Sequence, residues 1–259
     1  MELGLGGKVA LVAAASKGLG RAVARELAAE GAALVVCARE PATLVATTRA
    51  IEDEFGAPIV AVPADVSRAA DVARGVEAGL ARFGRVDVLV TNSGGPPPGR
   101  FEALTPEAWQ AATDLTLFAP LEFTRRILPG MRERRWGRIL NITSIAVKQP
   151  IDNLMLSNSL RAAVIGWART LANEVAADGI TVNNLMPGYT RTERVDELAE
   201  VLARRDGVTP AEIVARWERE IPMGRLGDVR EFAALAAFLA SDRAGYISGQ
   251  IISINGAMA

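Results

Sequence analysis

The residues Ala13-Ala14-Ala15-Ser16-Lys17-Gly18-Leu19-Gly20 run from a short aliphatic stretch straight into an amphipathic one. Glycines at such a junction let the backbone approach a pyrophosphate. A helix that starts there adds free N–H donors and the positive end of its dipole. Alone, two glycines fit a tight turn about as well. A second aliphatic stretch ends at Cys37-Ala38-Arg39. An acidic residue at that place binds the ribose 2′-hydroxyl of NAD(H), whereas an Arg accommodates the 2′-phosphate of NADP(H). Arg39, with Lys17 in the glycine loop, therefore favours NADP(H) over NAD(H). Asp65, followed by Val66, stands after a third stretch, where its carboxylate can accept a hydrogen bond from an adenine amino group.

The absent residue types narrow the chemistry further. The 259 residues include no histidine, which removes the commonest general base and the commonest metal ligand. No metal site is expected. A mechanism that needs a phenol or an amine must draw on two tyrosines, Tyr189 and Tyr246, and three lysines, Lys8, Lys17 and Lys148. Cys37 stands alone, so no internal disulfide can form. A net charge of −1 sets up no long-range field for nucleic acid. The N-terminus lacks the basic-then-apolar signature of a signal peptide, and Phe232–Ala240, the longest nearly apolar run, is too short to span a bilayer. A cytoplasmic protein with a small-molecule substrate is the expectation, with no membrane and no nucleic-acid partner.

Positioning these groups requires a scaffold, and the hydrophobic pattern supplies one. Short β-branched or aliphatic runs recur at Val9–Ala13, Leu34–Cys37, Ile59–Val62, Val86–Val90, Arg138–Ile142, Ile180–Asn184 and Ile251–Ile254. Continuous apolar runs suit parallel strands buried on both faces. Helical stripes lie between them, such as Leu160, Val164, Trp167 and Leu171. Thr105-Pro106, Thr209-Pro-Ala-Glu212 and Asp228-Val-Arg-Glu231 mark helix starts, and Gly31 and Gly179 mark stops. The alternation predicts an α/β fold, a single-domain Rossmann-like doubly wound parallel sheet of about seven strands with helices on both faces. The whole of 1–259 reads as one dinucleotide-binding domain. Residues 190–226, which contain no strand pattern, read as a helical insertion placed to act as a lid.

In order and spacing, these segments resemble the short-chain dehydrogenase/reductase family, and in layout the 3-oxoacyl-acyl-carrier-protein reductases. The resemblance runs from Gly7 to Ala257. The glycine loop is similar to TGxxxGxG, with Ala14 at the first glycine. Asp65 matches the family aspartate, and Thr91-Asn92-Ser93-Gly94 resembles NNAG. Asn141-Ile-Thr-Ser144 resembles the strand that delivers the catalytic serine, and Pro187-Gly188 with Thr190 and Thr192 resembles the PGxxxT turn at the nicotinamide. The resemblance implies hydride transfer between a nicotinamide cofactor and a carbonyl or secondary alcohol. It also implies a homotetramer built through helices around 105–135 and 156–177 and through the last strand and helix.

The resemblance breaks at the proton path. The family's Tyr and Lys positions hold Ser157 and Arg161, and its Asn position holds Thr116. An aliphatic hydroxyl is a far weaker acid than a phenol, which titrates near pH 10. Arg161 keeps the positive charge and can donate to ribose hydroxyls, but it cannot relay protons. Losing general acid–base help costs ~10²–10⁴ in rate, while placement of the reacting atoms survives. If position 14 needs a left-handed backbone, its alanine costs roughly 1 kcal/mol. Ser144, Ser157, Arg161 and Tyr189 form the candidate catalytic set. Lys148 and Asp152, in the loop between the two serines, are weaker alternatives. Two readings follow: an NADP(H)-dependent oxidoreductase with a non-standard proton donor, or an NADP(H)-binding protein of the same fold with little redox activity. Dehalogenase-like chemistry ranks last, because it would keep the Tyr and abandon the nucleotide site. The substrate itself is not legible.

Overall fold

A computed structural model describes residues 2–258; the two terminal residues of the expected 1–259 domain lie outside it. Seven strands form one sheet: β1 (Val9–Ala13), β2 (Ala33–Ala38), β3 (Ile59–Pro63), β4 (Val88–Thr91), β5 (Gly137–Ile142), β6 (Ile180–Pro187) and β7 (Ile251–Ile254). Their order is β3-β2-β1-β4-β5-β6-β7, and every pairing is parallel. The expected runs match these strands with small shifts. The fourth begins two residues late, at Val88. The sixth runs on to Pro187, because Leu185, Met186 and Pro187 align with Ile252, Ser253 and Ile254 of β7.

Helices cover both faces. One face packs α1 (Gly18–Ala29), α2 (Pro41–Phe55) and α9 (Val229–Ala240) through Val23, Leu27, Leu44, Phe232 and Leu239. The other packs α3 (Ala69–Phe83), α5 (Ala119–Arg134) and α6 (Met155–Val175) through Val76, Phe123, Ile127, Met131, Leu171 and Val175. Burial on both faces is why β1, β2 and β4 read as nearly unbroken apolar runs. Between β6 and β7 lie α7 (Glu193–Asp206) and α8 (Pro210–Glu220), which bury a small cluster of their own around Ala199, Ala203, Ile213 and Trp217. No helix among the described residues is long and apolar enough to cross a membrane.

One irregularity shapes the centre. Helix α4 (Pro106–Thr113) reaches α5 through a π-helical turn, Asp114–Phe118. Pro120 lacks the N–H that would close on the carbonyl of Thr116, so the helix widens where its ladder loses a donor. The widened turn carries Thr116 into the interior, where it is buried.

The left-handed requirement at position 14 is real: Ala14 has φ 49°. A non-glycine residue there costs ~1–2 kcal/mol, part of which a glycine would return as unfolded-state freedom. Ala14→Gly is therefore expected to gain ~0.5–1 kcal/mol and raise Tm by roughly 1–4 °C in thermal unfolding. A lower Tm would mean that the Ala14 methyl packs usefully.

Candidate active site

The sheet order reverses between β1 and β4, which opens a crevice at the carboxyl ends of these strands. The loop after β1 forms one wall. Its chain passes through Gly18 at φ +53° and enters α1, with Lys17 at the N-cap, extended and exposed. Gly20 is buried, and a Cβ there would stand 2.5 Å from the Ala14 carbonyl oxygen and 2.9 Å from Ala15 Cα. The glycine is thus required for helix and loop to meet. Asn92, just after β4, donates to the Ala14 carbonyl at 3.2 Å and ties the two walls together. The carbonyl of Ser16 accepts from Thr47 at 2.9 Å, which fixes the loop to α2.

At the β2 end Arg39 is exposed, with Nη2 4.0 Å from the place a Gly94 side chain would occupy. Asp65 is half-buried beside buried Val66, and its Oδ1 accepts from the Ser67 amide at 3.1 Å and hydroxyl at 2.8 Å. Leu19 lies half-buried at the start of α1. A loop that opens a helix, a glycine that admits no side chain and two cations nearby fit a phosphorylated dinucleotide.

The catalytic candidates gather beyond this wall. Ser144 follows β5 in extended backbone, and its Oγ accepts from the Ala146 amide at 3.1 Å. Arg161, on α6, is buried. Its Nη1 donates to the carbonyls of Ile142 and Thr143 at 2.8 and 2.9 Å, and its Nε donates to Ser157 Oγ at 3.3 Å. One guanidinium thereby holds the end of β5, which carries Ser144, against the turn of α6 that carries Ser157. Burial, helped by the charge of Arg194, pushes the Arg161 guanidinium down to about 10, still protonated at neutral pH. Thr116, Thr91, Asn92, Ser93, Thr143 and Arg161 border a small cavity of about 10 Å³, room for about one water. The Thr116 hydroxyl is buried, with no partner among the described residues.

The other candidates sit apart from this frame. The Tyr189 ring stacks on Trp217 of α8, with centroids 4.8 Å apart, inside the cluster between α7 and α8. Burial and the Glu220 carboxylate raise its phenol further. Both facts count against Tyr189 as a substitute acid. Lys148 and Asp152 are exposed on the loop before α6. Past Pro187-Gly188, Thr190 is buried and its hydroxyl donates to the Gly188 carbonyl at 3.4 Å, while Thr192 caps α7 by accepting from the Val195 amide.

Two residues escaped the sequence reading. Glu193 opens α7, and its carboxylate accepts from the Gly18 amide at 3.2 Å and from Arg21 at 2.9 Å. Burial would raise this carboxyl, but its own amide, Arg21 and the Gly18 amide outweigh that and hold it below the usual range. Its neighbour Arg194 lies against Gly95. The only local sign was an acidic residue after a Thr cap. Folding brings it to a loop 175 residues away.

Residues 13–258 match the family model described as enoyl-(acyl carrier protein) reductase. The chain is 34% identical to the 3-oxoacyl-acyl-carrier-protein reductase of Escherichia coli, over 97% of each chain. It is 36% identical to the acetoacetyl-CoA reductase of Shinella zoogloeoides, over 96% of this chain and 97% of the relative. Its fold superposes on L-sorbose reductase from Gluconobacter frateurii, solved with NADPH and L-sorbose. The TM-score is 0.96 at 32% identity, covering 100% of this chain and 98% of the other. On these matches and this architecture, the chain belongs to the short-chain dehydrogenase/reductase family of oxidoreductases and resembles its 3-oxoacyl reductases.

Proposed function

We propose that the protein transfers hydride between NADP(H) and a carbonyl or secondary-alcohol substrate, with Ser144 and Ser157 binding the substrate oxygen. The observation that supports this is the single Arg161 guanidinium, which links Ser157 to the carbonyls of Ile142 and Thr143 just before Ser144. Lys17 and Arg39 hold the 2′-phosphate at the far end. The loop from Ser16 to Gly20, with Thr190 and Thr192, holds the pyrophosphate, which takes the Gly18 amide in place of Glu193. Asp65 and Val66 border the adenine, and Asn92, Gly94, Pro187 and Gly188 line the ribose and nicotinamide side. When bound, NADPH supplies the hydride.

The chain's own groups then handle the oxygen. Ser144 and Ser157 donate to it, and the Nε–H of Arg161 polarises the Ser157 hydroxyl by donating to its oxygen. The proton that completes the alcohol is drawn from solvent through Ser157. Without a phenol this step is slow, which matches a site built for placement more than for acid strength. The pair α7 and α8 serves as the lid over one domain that spans the chain. Exposed Phe101 and Phe118 on the α4–α5 side, and Tyr246 before β7, suit a homo-oligomer of the tetrameric kind. The setting that suits such an enzyme is the cytoplasm.

NADPH titration by fluorescence, followed by turnover on 3-oxoacyl thioesters and small ketones, tests the proposal. Tight binding with no hydride transfer to any of them would favour a binding protein instead. Arg39→Ala should weaken NADPH on the order of tenfold while leaving NADH unchanged. Equal losses for both would show that Arg39 does not read the 2′-phosphate. The double variant Ser157→Tyr, Arg161→Lys restores a titratable phenol beside a cation. Its kcat should rise by ~10² or more in a stopped assay of NADPH consumption. An unchanged kcat would place the slow step outside proton transfer.

A further inference from the structure

The first turn of α7 lies across the crevice. Glu193 fastens it to the β1 loop through the Gly18 amide and Arg21. The next residue, Arg194, reaches the β4 loop, with its Nη2 3.0 Å from the position of a Gly95 Cβ and its Cζ at 3.5 Å. Any side chain at position 95 would displace that guanidinium. Arg39 stands against Gly94 and Arg194 against Gly95, so the glycine pair carries one cation beside each residue.

The charge of Arg194 is uncompensated. Arg191 pairs with Glu218 and Arg204 with Glu200, whereas Arg194 forms no ion pair among the described residues. Glu193 is already taken by Gly18 and Arg21. Arg161 also lacks a carboxylate and spends three of its donor contacts on two carbonyls and Ser157. Its guanidinium feels Arg194 as a like charge. Arg161 is buried and Arg194 exposed at the crevice rim, and two guanidinium groups near enough to repel each other favour an anion beside them. A planar guanidinium takes a carboxylate or phosphate through two parallel hydrogen bonds, and that geometry selects by shape as well as charge.

We propose that Arg194 binds an oxoanion carried by the carbonyl substrate, so that the preferred substrates are oxo acids rather than neutral ketones. This rests on the oxidoreductase reading above. An oxoanion could also come from the cofactor's pyrophosphate, and the experiment separates the two sources.

NADPH is first titrated into the wild-type protein and Arg194→Gln. The two affinities should agree within about twofold; a tenfold loss in the variant would assign Arg194 to the pyrophosphate and overturn the proposal. Next, 2-oxo and 3-oxo acids of increasing chain length are titrated calorimetrically against their methyl esters, each into the NADP+ complex. At least one acid should bind tenfold or more tightly than its ester, and the preference should collapse in Arg194→Gln. Arg191→Gln, whose charge is already paired, should keep it. The proposal fails if no acid outbinds its ester, or if the preference survives in Arg194→Gln. These titrations need no turnover. Absent hydride transfer alongside an Arg194-dependent acid preference would therefore count against the oxidoreductase reading alone.

Discussion

A buried guanidinium holds this site together. Moving a charge out of water is expensive unless donors and partners replace the solvent. Arg161 meets that demand with the carbonyls of Ile142 and Thr143, exposed by the end of β5, and with the Ser157 hydroxyl one turn earlier on its own helix. Hydrogen bonds from a charged donor contribute about 1.5–3 kcal/mol each, so the two to Ile142 and Thr143 are enough to fix where α6 meets the sheet. That brace ties the helix turn carrying Ser157 to the strand end that precedes Ser144. A lysine carries a point charge and no planar fork, and would hold the same strand end less rigidly.

Around this brace the fold leaves one deliberate gap. The π-turn at Asp114–Phe118 drops Thr116 into the interior with its hydroxyl unpartnered, facing a cavity of about one water. Orphaned buried hydroxyls are rare, and this one lies beside Arg161 rather than at random in the core. The threonine is shorter than the amide that the family places there, so space is left where a side-chain amide would stand.

The glycine loop works by a different economy. Gly20 gives up its side chain so that α1 can start directly behind the Ala14 carbonyl, and Asn92 then crosses from the neighbouring loop to that same carbonyl. The amides left free at the head of α1 attract negative charge. Here Glu193 supplies one such charge at Gly18, which ties the α7–α8 segment to the cofactor end of the crevice. One carboxylate thus links the head of α7 to the start of α1.

Most of the fold was readable in the sequence. Buried parallel strands must be apolar on both faces, and that alone set apart seven runs whose limits in the fold differ by a few residues at most. At Ala14 the sequence raised a left-handed backbone only as a condition, from the family glycine it replaces, and the fold supplies it. The changes at 116, 157 and 161 were visible as letters at fixed spacings. Their consequences were not. Spacing says that Ser157 and Arg161 share a helix face, but which carbonyls the guanidinium meets depends on β5, 18 and 19 residues away. Tyr189 looked available as an acid until packing stacked it on Trp217. Glu193 and Arg194 gave no signal, since their partners Gly18 and Gly95 are remote in the chain. Local sequence fixes periodicity and backbone freedom, which depend on near neighbours. The chemistry of the site depends on distance and dielectric, and those exist only once the chain has closed on itself.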